Sequence, residues 1–439
     1  MKKGFVISWY YPPGNSSEGL VTFKLLKNSK YQYDVWTRAD QQQSVWDRKS
    51  HEDKLVTDNV KIIPGKCENE KEWVREGIKY FDAHRDEYDF VMSRSMPVES
   101  HEIAISIKKK YPDIKWIASF GDPIVNTPYI DEITMGGKSN PFKLREYFFR
   151  ENLSVLRASR VFVSPSRQAN KFLWNKEKEN GDKVAKYFSE VNDYVLKNAD
   201  VLIYNNPYQL EHAFMDDYLK EFKDKGCILE HSFEADFYPE GDMGKKNKKL
   251  SFIYVGHLDD TRNARSLLKA IKKLKQNDKD LGKKVEFVFY GHLSDGDKIF
   301  ILDNDLVDIV KTRKDIKYLE SLKVIKAADW AILIDANFTS LVDDCIYLPA
   351  KLIDYMGART KVFSISHMRG AGADIIRDVG GGKVVTHSPD DIYLYLSKII
   401  YQGFEPAPYD EKKVKKYSSS EMSKRLDKII GTLLKEGKR

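Results

Sequence analysis

Short apolar runs alternate with amphipathic stretches along most of this chain. Examples of such runs are Phe5–Tyr10, Lys115–Phe120 and Trp330–Asp335, and amphipathic stretches such as His101–Lys110 lie between several of them. Strands that alternate with helices in this way form parallel sheets whose two faces are covered by helices. The pattern therefore predicts an α/β fold built from doubly wound, Rossmann-like parallel sheets.

The predicted strands form two groups separated by a linker. The first group is Phe5–Tyr10, Tyr33–Thr37, Val60–Ile63, Phe90–Ser93, Lys115–Phe120, Val201–Tyr204 and Cys227–Glu230. The second is Ser251–Val255, Val285–Tyr290, Ile316–Leu319, Trp330–Asp335, Lys361–Ile365 and Lys383–Thr386. Between them, Asp236–Lys249 combines Pro, Gly and a lysine run, as linkers do. We predict domains over 1–240 and 241–408, a C-terminal helix over 409–439, and a ligand cleft where the carboxyl ends of the two sheets face each other.

Composition narrows the class of protein. A chain of 439 residues is too long for one ordinary core. Its three cysteines lie far apart, which fits a reducing cytoplasm and argues against a zinc site. No apolar run approaches the about 20 residues of a membrane span. The net charge of +7, from 73 basic and 66 acidic residues, suits a phosphate-bearing ligand but is too dilute to indicate nucleic acid.

The stretch after the first predicted strand has an unusual composition. Pro12-Pro13-Gly14 cannot continue a strand, and Asn15, Ser16 and Ser17 follow before a helical pattern resumes. Ser16 or Ser17 can cap that helix, whose free N–H groups would point into the cleft and hold an anion or a sugar hydroxyl. The alternative is a plain strand-to-helix turn with a capping serine. The three-glycine spacing of a dinucleotide loop is missing, which argues against a nicotinamide dehydrogenase.

The second group of strands opens with a similar turn. Its first strand ends at Gly256, and Arg262 and Arg265 stand near the start of the next helix. A guanidinium beside a helix N-terminus binds diphosphate well, and we assign this role to Arg262 and a solvated surface position to Arg265. His257 follows the strand-ending glycine and is a candidate contact to a nucleotide or phosphate. A structural histidine is the alternative.

The most informative stretch begins after the strand Trp330–Asp335. Pro349 opens a predicted helix that carries Lys351 in its first turn and Asp354 three positions later. An ammonium group is a poor partner for the start of a helix unless an anion binds there. Asp354 shares the face of Lys351 and could accept hydrogen bonds from a ribose diol. The pair indicates a nucleoside-diphosphate site, and a surface salt bridge is the alternative.

Polar residues also end two strands of the first domain. Arg94 and Ser95 follow one predicted strand, and Asp122 follows another, so we expect all three to line the cleft. For Asp122 the alternative is a turn residue in Gly-Asp-Pro.

These motifs resemble the retaining GT-B glycosyltransferases, in particular glycosyltransferase family 4. The segments YVGHLDDTRNARSLLKA and YLPAKLIDYMGARTKVFSIS carry the resemblance, together with the loop that includes Gly14, Asn15, Ser16 and Ser17. The Pro-x-Lys-x-x-Glu-Tyr segment of that family, which binds the nucleotide sugar, falls on Pro349, Lys351 and Asp354. The first of the two donor-site glutamates of the family falls on Ile346, which cannot hydrogen-bond a sugar.

The resemblance implies a cytoplasmic, retaining glycosyltransferase that needs no metal or other cofactor. Its donor would be a UDP- or GDP-sugar held by Gly256, His257, Arg262, Pro349, Lys351 and Asp354. Asp122 would be the carboxylate nearest the reacting sugar or the acceptor, which would be a glycan or a lipid-linked glycan of a surface polysaccharide. It also implies that the C-terminal helix crosses back to the first domain. Arg94 and Ser95 would belong to the acceptor side with the Gly14–Ser17 loop.

Two further questions stay open at this level. The segment Asn140–Arg160 mixes aromatic residues with arginines, which suits peripheral contact with an anionic membrane as well as packing onto the first sheet. The same architecture also serves nucleotide-sugar epimerases and phosphorolytic enzymes, and Ile346 makes a non-catalytic binding partner of a glycosyltransferase a further alternative.

Overall fold

The computed structural model describes residues 1–12, 16–39, 53–95, 97–125, 185–241, 249–258, 262–337 and 344–436. Within these residues the chain forms two parallel sheets, one of seven strands and one of six. Helices cover both sheets, so the predicted fold class is confirmed: two Rossmann-like domains that face each other. We call the part built on the first sheet the first lobe and the part built on the second sheet the second lobe.

The first sheet has the strand order β3-β2-β1-β4-β5-β6-β7, with parallel pairing throughout. Its strands are β1 (Lys3–Ser8), β2 (Gln32–Arg38), β3 (Val60–Gly65), β4 (Phe90–Ser95), β5 (Lys115–Phe120), β6 (Val201–Tyr204) and β7 (Gly226–Ile228). The described helices of this lobe are α1 (Ser17–Leu26), α2 (Glu70–Ala83), α3 (Glu99–Lys110), α4 (185–198) and α5 (Pro207–Ala213).

The second sheet has the order β10-β9-β8-β11-β12-β13 and is also parallel. Its strands are β8 (Leu250–Val255), β9 (Val285–Tyr290), β10 (Val310–Arg313), β11 (Trp330–Ile334), β12 (Lys361–Ile365) and β13 (Gly382–Val385). The helices that follow are α6 (Arg265–Asn277), α7 (Leu281–Lys284), α8 (Asp295–Asp303), α9 (Tyr318–Ala327), α10 (Ala350–Ala358), α11 (Ala371–Val379), α12 (Pro389–Gln402), α13 (Glu411–Lys415) and α14 (Ser419–Glu436).

One predicted strand is wrong. The run Ile316–Leu319 is not in the sheet, because the third strand of the second lobe is Val310–Arg313 and α9 begins at Tyr318. β10 is the edge strand and pairs with β9 alone. An edge strand buries less of its surface, so its sequence can be polar, whereas the apolar run leads into a helix whose Leu319 is buried. The other predicted strands overlap observed ones.

In each sheet the strand order reverses beside the first strand of the lobe. β1 lies between β2 and β4, and β8 lies between β9 and β11. Connections on the two sides of such a point run in opposite directions and leave a crevice at the carboxyl ends of the strands, where ligands bind in open α/β sheets. The two crevices face one another across the boundary between the lobes.

The last helix packs against α1 of the first lobe. Leu426 and Ile430 of α14 are fully buried, and Ser423 Oγ donates a hydrogen bond to Leu25 O at 2.8 Å. We keep the domain boundaries 1–240, 241–408 and 409–439 as a proposal. None of the described helices is both long and apolar enough to cross a membrane. The segment Asn140–Arg160 lies outside the described residues, as does 242–248 of the predicted linker.

Candidate functional site

A cavity of about 330 Å³ lies between the two lobes at the crevices of both sheets. One face of α1 supplies its first-lobe wall, and loops and helices that follow β8, β9, β10 and β11 supply the rest. The polar and glycine positions that line it are Ser17, Lys24, Gly256, His257, Arg262, Tyr290, Asp315, Lys317, Tyr318, Ser321, Lys351, Asp354 and Tyr355. The cavity thus brings together all the predicted donor-site residues except Pro349, which precedes α10.

The start of α1 lies at the edge of this cavity. Ser16 occupies the N-cap position in an extended conformation, but its side chain forms no capping hydrogen bond. Ser17, the first helical residue, lines the cavity. The predicted partners Gly14 and Asn15 lie outside the described residues.

Lys351 lies against the glycine that ends β8. α10 begins at Ala350, directly after Pro349 at the N-cap, so Lys351 is in the first turn. Its Nζ donates a hydrogen bond to Tyr254 Oη at 3.0 Å and lies 4.7 Å from the centroid of the Tyr254 ring. Gly256 has a φ of +123°, a conformation that favours glycine, and a Cβ at this position would collide with the Lys351 ammonium group.

Asp354 is held by groups from both lobes. Its Oδ1 accepts hydrogen bonds from Lys24 Nζ of α1 at 3.0 Å and from Tyr318 Oη of α9 at 2.9 Å. The Lys24 side chain is only 2% exposed and that of Asp354 only 11%. Within the described part of the chain, Lys351 and Asp354 form no ion pair with each other, so the surface salt bridge considered from the sequence is not what positions them.

His257 is paired with an aspartate at the rim of the cavity. Its Nε2 lies 2.6 Å from Asp315 Oδ1. Burial lowers the pKa of His257, and this outweighs the opposite effect of Asp315, so the environment favours the neutral imidazole. The loop after β9 braces this histidine, since Leu258 N donates to His292 O at 2.9 Å. His257 is therefore a hydrogen-bonded polar residue in the lining of the cavity.

Arg262 lines the cavity and lies near carboxyl groups of both lobes. Desolvation by the surrounding protein raises the pKa of Asp122, which follows β5, and that of Asp335, which follows β11; the Arg262 guanidinium opposes both increases and is therefore near both carboxyl groups. Burial is the largest effect on Asp335 and raises its pKa, although Ser366 Oγ donates to Asp335 Oδ2 at 2.6 Å. By contrast, Arg265 pairs with Asp297 at 2.8 Å and does not line the cavity.

Asp122 follows β5 at the carboxyl end of the first sheet, and its side chain is exposed to solvent. The surrounding protein and the nearby Glu18 carboxylate raise the pKa of Asp122 to about 6, while Arg262 and Arg94 act in the opposite direction. A carboxyl group with a pKa of about 6 changes its charge close to neutral pH, so its contact with a ligand depends on pH.

Arg94 and Ser95 differ from the expectation that they line the cleft. The Arg94 side chain is 5% exposed and donates to Glu18 Oε2, at 2.8 Å from Nη2 and 3.1 Å from Nε, and to Ser119 Oγ at 3.0 Å. Ser95 is fully buried. Both lie at the carboxyl end of β4, as expected, but α1 covers that end of the strand. Arg94 therefore positions Glu18 beside Asp122.

Sequence reasoning missed several residues of this region, among them Lys24, Glu18 and Tyr318. Lys24 gives a signal that could have identified it, because it lies on the same helical face as Leu20 and Val21, where an apolar residue is expected. Glu18 and Tyr318 give no comparable signal, since an acidic residue in a first helical turn and a tyrosine at a helix start are both ordinary.

The cavity has the charges that a phosphorylated ligand needs. Lys24, Lys351 and Arg262 contribute cationic groups, and Asp354 contributes a carboxylate. Among the residues that the structure describes, no cluster of three or more His, Cys, Asp or Glu side chains is arranged to hold a metal ion. The lining can therefore bind an anionic group through its cations and a hydroxylated group through its carboxylate.

No protein-family model matches this chain, and no curated protein is significantly similar to it in sequence. Solved structures are similar in fold. Sucrose-phosphate synthase from Thermosynechococcus elongatus has 13% identity and a TM-score of 0.62, with 99% of this chain and 100% of that chain covered. The lipopolysaccharide outer core galactosyltransferase WaaB has 12% identity and a TM-score of 0.55, with 98% and 99% covered. A UDP-N-acetylglucosamine 2-epimerase has 12% identity and a TM-score of 0.53, with 100% and 97% covered. Together with the two facing sheets, these similarities show that the chain has the GT-B fold, which its structural neighbours use for sugar transfer and for epimerisation of a nucleotide sugar.

Proposed function

We propose that this chain is a retaining glycosyltransferase that moves a sugar from a nucleoside-diphosphate donor to a glycan or carrier-linked acceptor. The observation that carries the proposal is the cavity between the lobes, which Lys351, Arg262 and Asp354 line together. This arrangement matches a ligand with two phosphates and a ribose.

The donor is a UDP- or GDP-sugar in this proposal. Lys351 and Arg262 neutralise the diphosphate, and Gly256 lets that group approach the backbone at the end of β8. Asp354 accepts a hydrogen bond from the ribose through Oδ2, the oxygen that Lys24 and Tyr318 leave open. The neutral His257 contributes to the wall beside the phosphates, and Pro349 sets the start of the helix that carries Lys351 and Asp354.

The chemical step depends on positioning and on charge stabilisation. The leaving diphosphate gains negative charge as the glycosidic bond breaks, and the cations beside it stabilise that charge without a metal ion. In the retaining reaction the leaving phosphate takes the proton of the acceptor hydroxyl. Asp122 contacts the reacting sugar or the acceptor from the first lobe, where Gly14, Asn15, Ser16 and Ser17 complete the acceptor side. Arg94 acts there by holding Glu18, and Ser95 by accepting a hydrogen bond from Gly121 N, next to Asp122, at 3.1 Å.

The acceptor is a growing glycan or a lipid-linked glycan, at the cytoplasmic face of the membrane. Support comes from the similarity in fold to a lipopolysaccharide galactosyltransferase. The basic segment Asn140–Arg160 is the part of the chain that we propose for peripheral contact with the lipid surface.

A thermal-shift panel with UDP, GDP and NAD tests the donor assignment. A ligand that binds only the folded protein raises its melting temperature by mass action, so we expect a shift with UDP or GDP and none with NAD. Lys351→Ala should abolish the shift and leave the fold intact. Lys361→Ala is the matched control, because Lys361 belongs to the same lobe but pairs with Glu405 outside the cavity. If Lys351→Ala binds the nucleotide as tightly as wild type, the assignment is wrong.

A second candidate is a nucleotide-sugar epimerase, favoured by the similarity to the UDP-N-acetylglucosamine 2-epimerase over nearly both full chains. Incubation with UDP- and GDP-sugars separates the candidates. Free nucleoside diphosphate from slow donor hydrolysis supports the transferase. A changed sugar still attached to the nucleotide supports the epimerase. Tight binding without turnover supports a non-catalytic partner, the alternative that Ile346 raises.

A further inference from the structure

The cation nearest to Asp354 comes from the opposite lobe. Lys24 Nζ of α1 lies 3.0 Å from Asp354 Oδ1 and 3.3 Å from Tyr318 Oη, and it lines the cavity between the lobes. The Lys24 residue is 1% exposed, so its ammonium group has left bulk water. A buried lysine is costly unless its charge is paired. The position is therefore set by the carboxylate of the second lobe.

The pair has hydrogen-bonding capacity left over on both sides. An ammonium group has three N–H donors, of which Asp354 and Tyr318 take one each. A carboxylate has two oxygens, and both bonds to the Asp354 side chain go to Oδ1. Among the described residues, one donor of Lys24 and the acceptor Oδ2 of Asp354 thus have no hydrogen-bond partner, and both residues line the cavity.

We infer that Lys24 is a donor-site residue that forms a hydrogen bond with one hydroxyl of the nucleotide ribose, while Asp354 forms a hydrogen bond with the other. A vicinal diol matches this pair, because one hydroxyl can donate to Asp354 Oδ2 and its neighbour can accept from Lys24 Nζ. The inference rests on the proposed function and deepens it. The ligand class becomes ribonucleoside diphosphates, and donors built on 2′-deoxyribose bind poorly.

The same geometry couples the nucleotide to the arrangement of the lobes. Lys24 belongs to the first lobe, whereas Asp354 and Tyr318 belong to the second. A diol held between Lys24 and Asp354 therefore contacts both lobes at once, and the donor site is complete only when α1 is in place. This distinguishes Lys24 from Lys351 and Arg262, which bind from the second lobe alone.

Binding constants of UDP, 2′-deoxy-UDP and 3′-deoxy-UDP, or of the corresponding guanosine compounds if GDP is the better ligand, test the inference. Wild type should bind each deoxy compound about tenfold or more weakly than the parent, as expected for a lost hydrogen bond to a charged group. Lys24→Met should weaken the parent nucleotide by a similar factor. In this variant, one of the two deoxy compounds should bind as well as the parent nucleotide, and the other should still bind more weakly than the parent.

Two variants serve as controls. Lys351→Ala should weaken all three compounds and leave their ratios unchanged. Lys27, in the turn directly after α1, pairs with Glu234 and does not line the cavity. Lys27→Met should therefore leave the binding constants of all three compounds unchanged.

The outcomes separate the two claims. If the parent nucleotide binds but Lys24→Met keeps both penalties, the inference fails and the proposed function stands. Equal affinity of wild type for all three compounds overturns the inference without relying on any variant. If neither UDP nor GDP binds wild type, the proposed function fails and the inference falls with it.

Discussion

The Lys351 ammonium group occupies the space where a side chain at position 256 would begin. Gly256 ends β8 with a φ of +123°, and Lys351 is in the first turn of a helix nearly a hundred positions later. The close contact is possible because glycine has no Cβ and tolerates this backbone conformation. The glycine therefore sets where the cation of the proposed diphosphate site can lie.

Gly256→Ala should impair nucleotide binding and stability together. The new methyl group would displace Lys351, and the left-handed backbone would be strained by about 1–3 kcal/mol. We expect the thermal shift with UDP or GDP to be lost. Gly403→Ala is a matched control, because Gly403 has a φ of +63° and a Cβ there meets open space. It should lower the melting temperature without altering nucleotide affinity, and equal behaviour of the two variants would contradict the role of the contact.

The rate of donor turnover should depend on pH through Asp122. The pKa of this carboxyl group is raised to about 6, so a reaction that needs its ionised form speeds up as the pH rises through about 6 and levels off above. Asp122→Asn should remove this rise and lower the rate by about 10²-fold or more. If Asp122→Asn keeps the wild-type rate and pH profile, Asp122 has no role in turnover and is a turn residue.

The same group should make folding stability depend on pH in the opposite sense. Between its ordinary pKa and about pH 6 the folded protein binds more protons at Asp122 than the unfolded chain does. The contribution of Asp122 to stability is therefore fully present below this window and is lost as the pH rises through it. Melting temperatures of wild type and Asp122→Asn should be measured from pH 4 to pH 8. Across the window the difference between them should change, and the melting temperature of the variant should rise relative to that of wild type as the pH increases.

The charge of Glu18 should affect the pH at which Asp122 ionises. Its negative charge raises the pKa of Asp122, so Glu18→Gln should move the midpoint of the pH–rate profile to lower pH. Arg94→Met should move it upward, because the guanidinium lowers the pKa of Asp122. Arg94→Met should also destabilise the protein by about 3–5 kcal/mol, since Arg94 and Glu18 form a largely buried pair. Shifts of the same sign in both variants would show that the titrating group is not Asp122.

The C-terminal helix should contribute to the stability of the first lobe. Leu426 of α14 is fully buried. Leu426→Ala should lower the free energy of unfolding by about 2–5 kcal/mol, the usual cost of truncating a buried leucine. Lys424→Ala, on the exposed face of the same helix, should have little effect. Denaturant unfolding of the two variants measures the difference, and a similar small loss in both would mean that the helix is not held by its apolar face.

Local sequence determined much of the architecture. Strands such as Lys115–Phe120 and Lys361–Ile365 are found where the apolar runs predict them, because strands buried on both faces need continuous apolar side chains. The placement of Lys351 and Asp354 on one helix could also be predicted from the sequence, since it depends only on their spacing after Pro349. The edge strand Val310–Arg313 was not predicted, because a strand at an exposed edge of a sheet does not need a continuous run of apolar residues.

Only the tertiary structure decided which groups meet. Lys24 and Asp354 are 330 positions apart, and their pairing depends on how the two lobes face each other. Arg94 was expected in the cleft, but Glu18 and Ser119 bind its guanidinium and α1 covers it. Periodicity and spacing report the face on which a side chain lies, because each element has its own repeat. They carry no information about a partner on a distant element, and charge pairing across the boundary between the lobes is set by such partners.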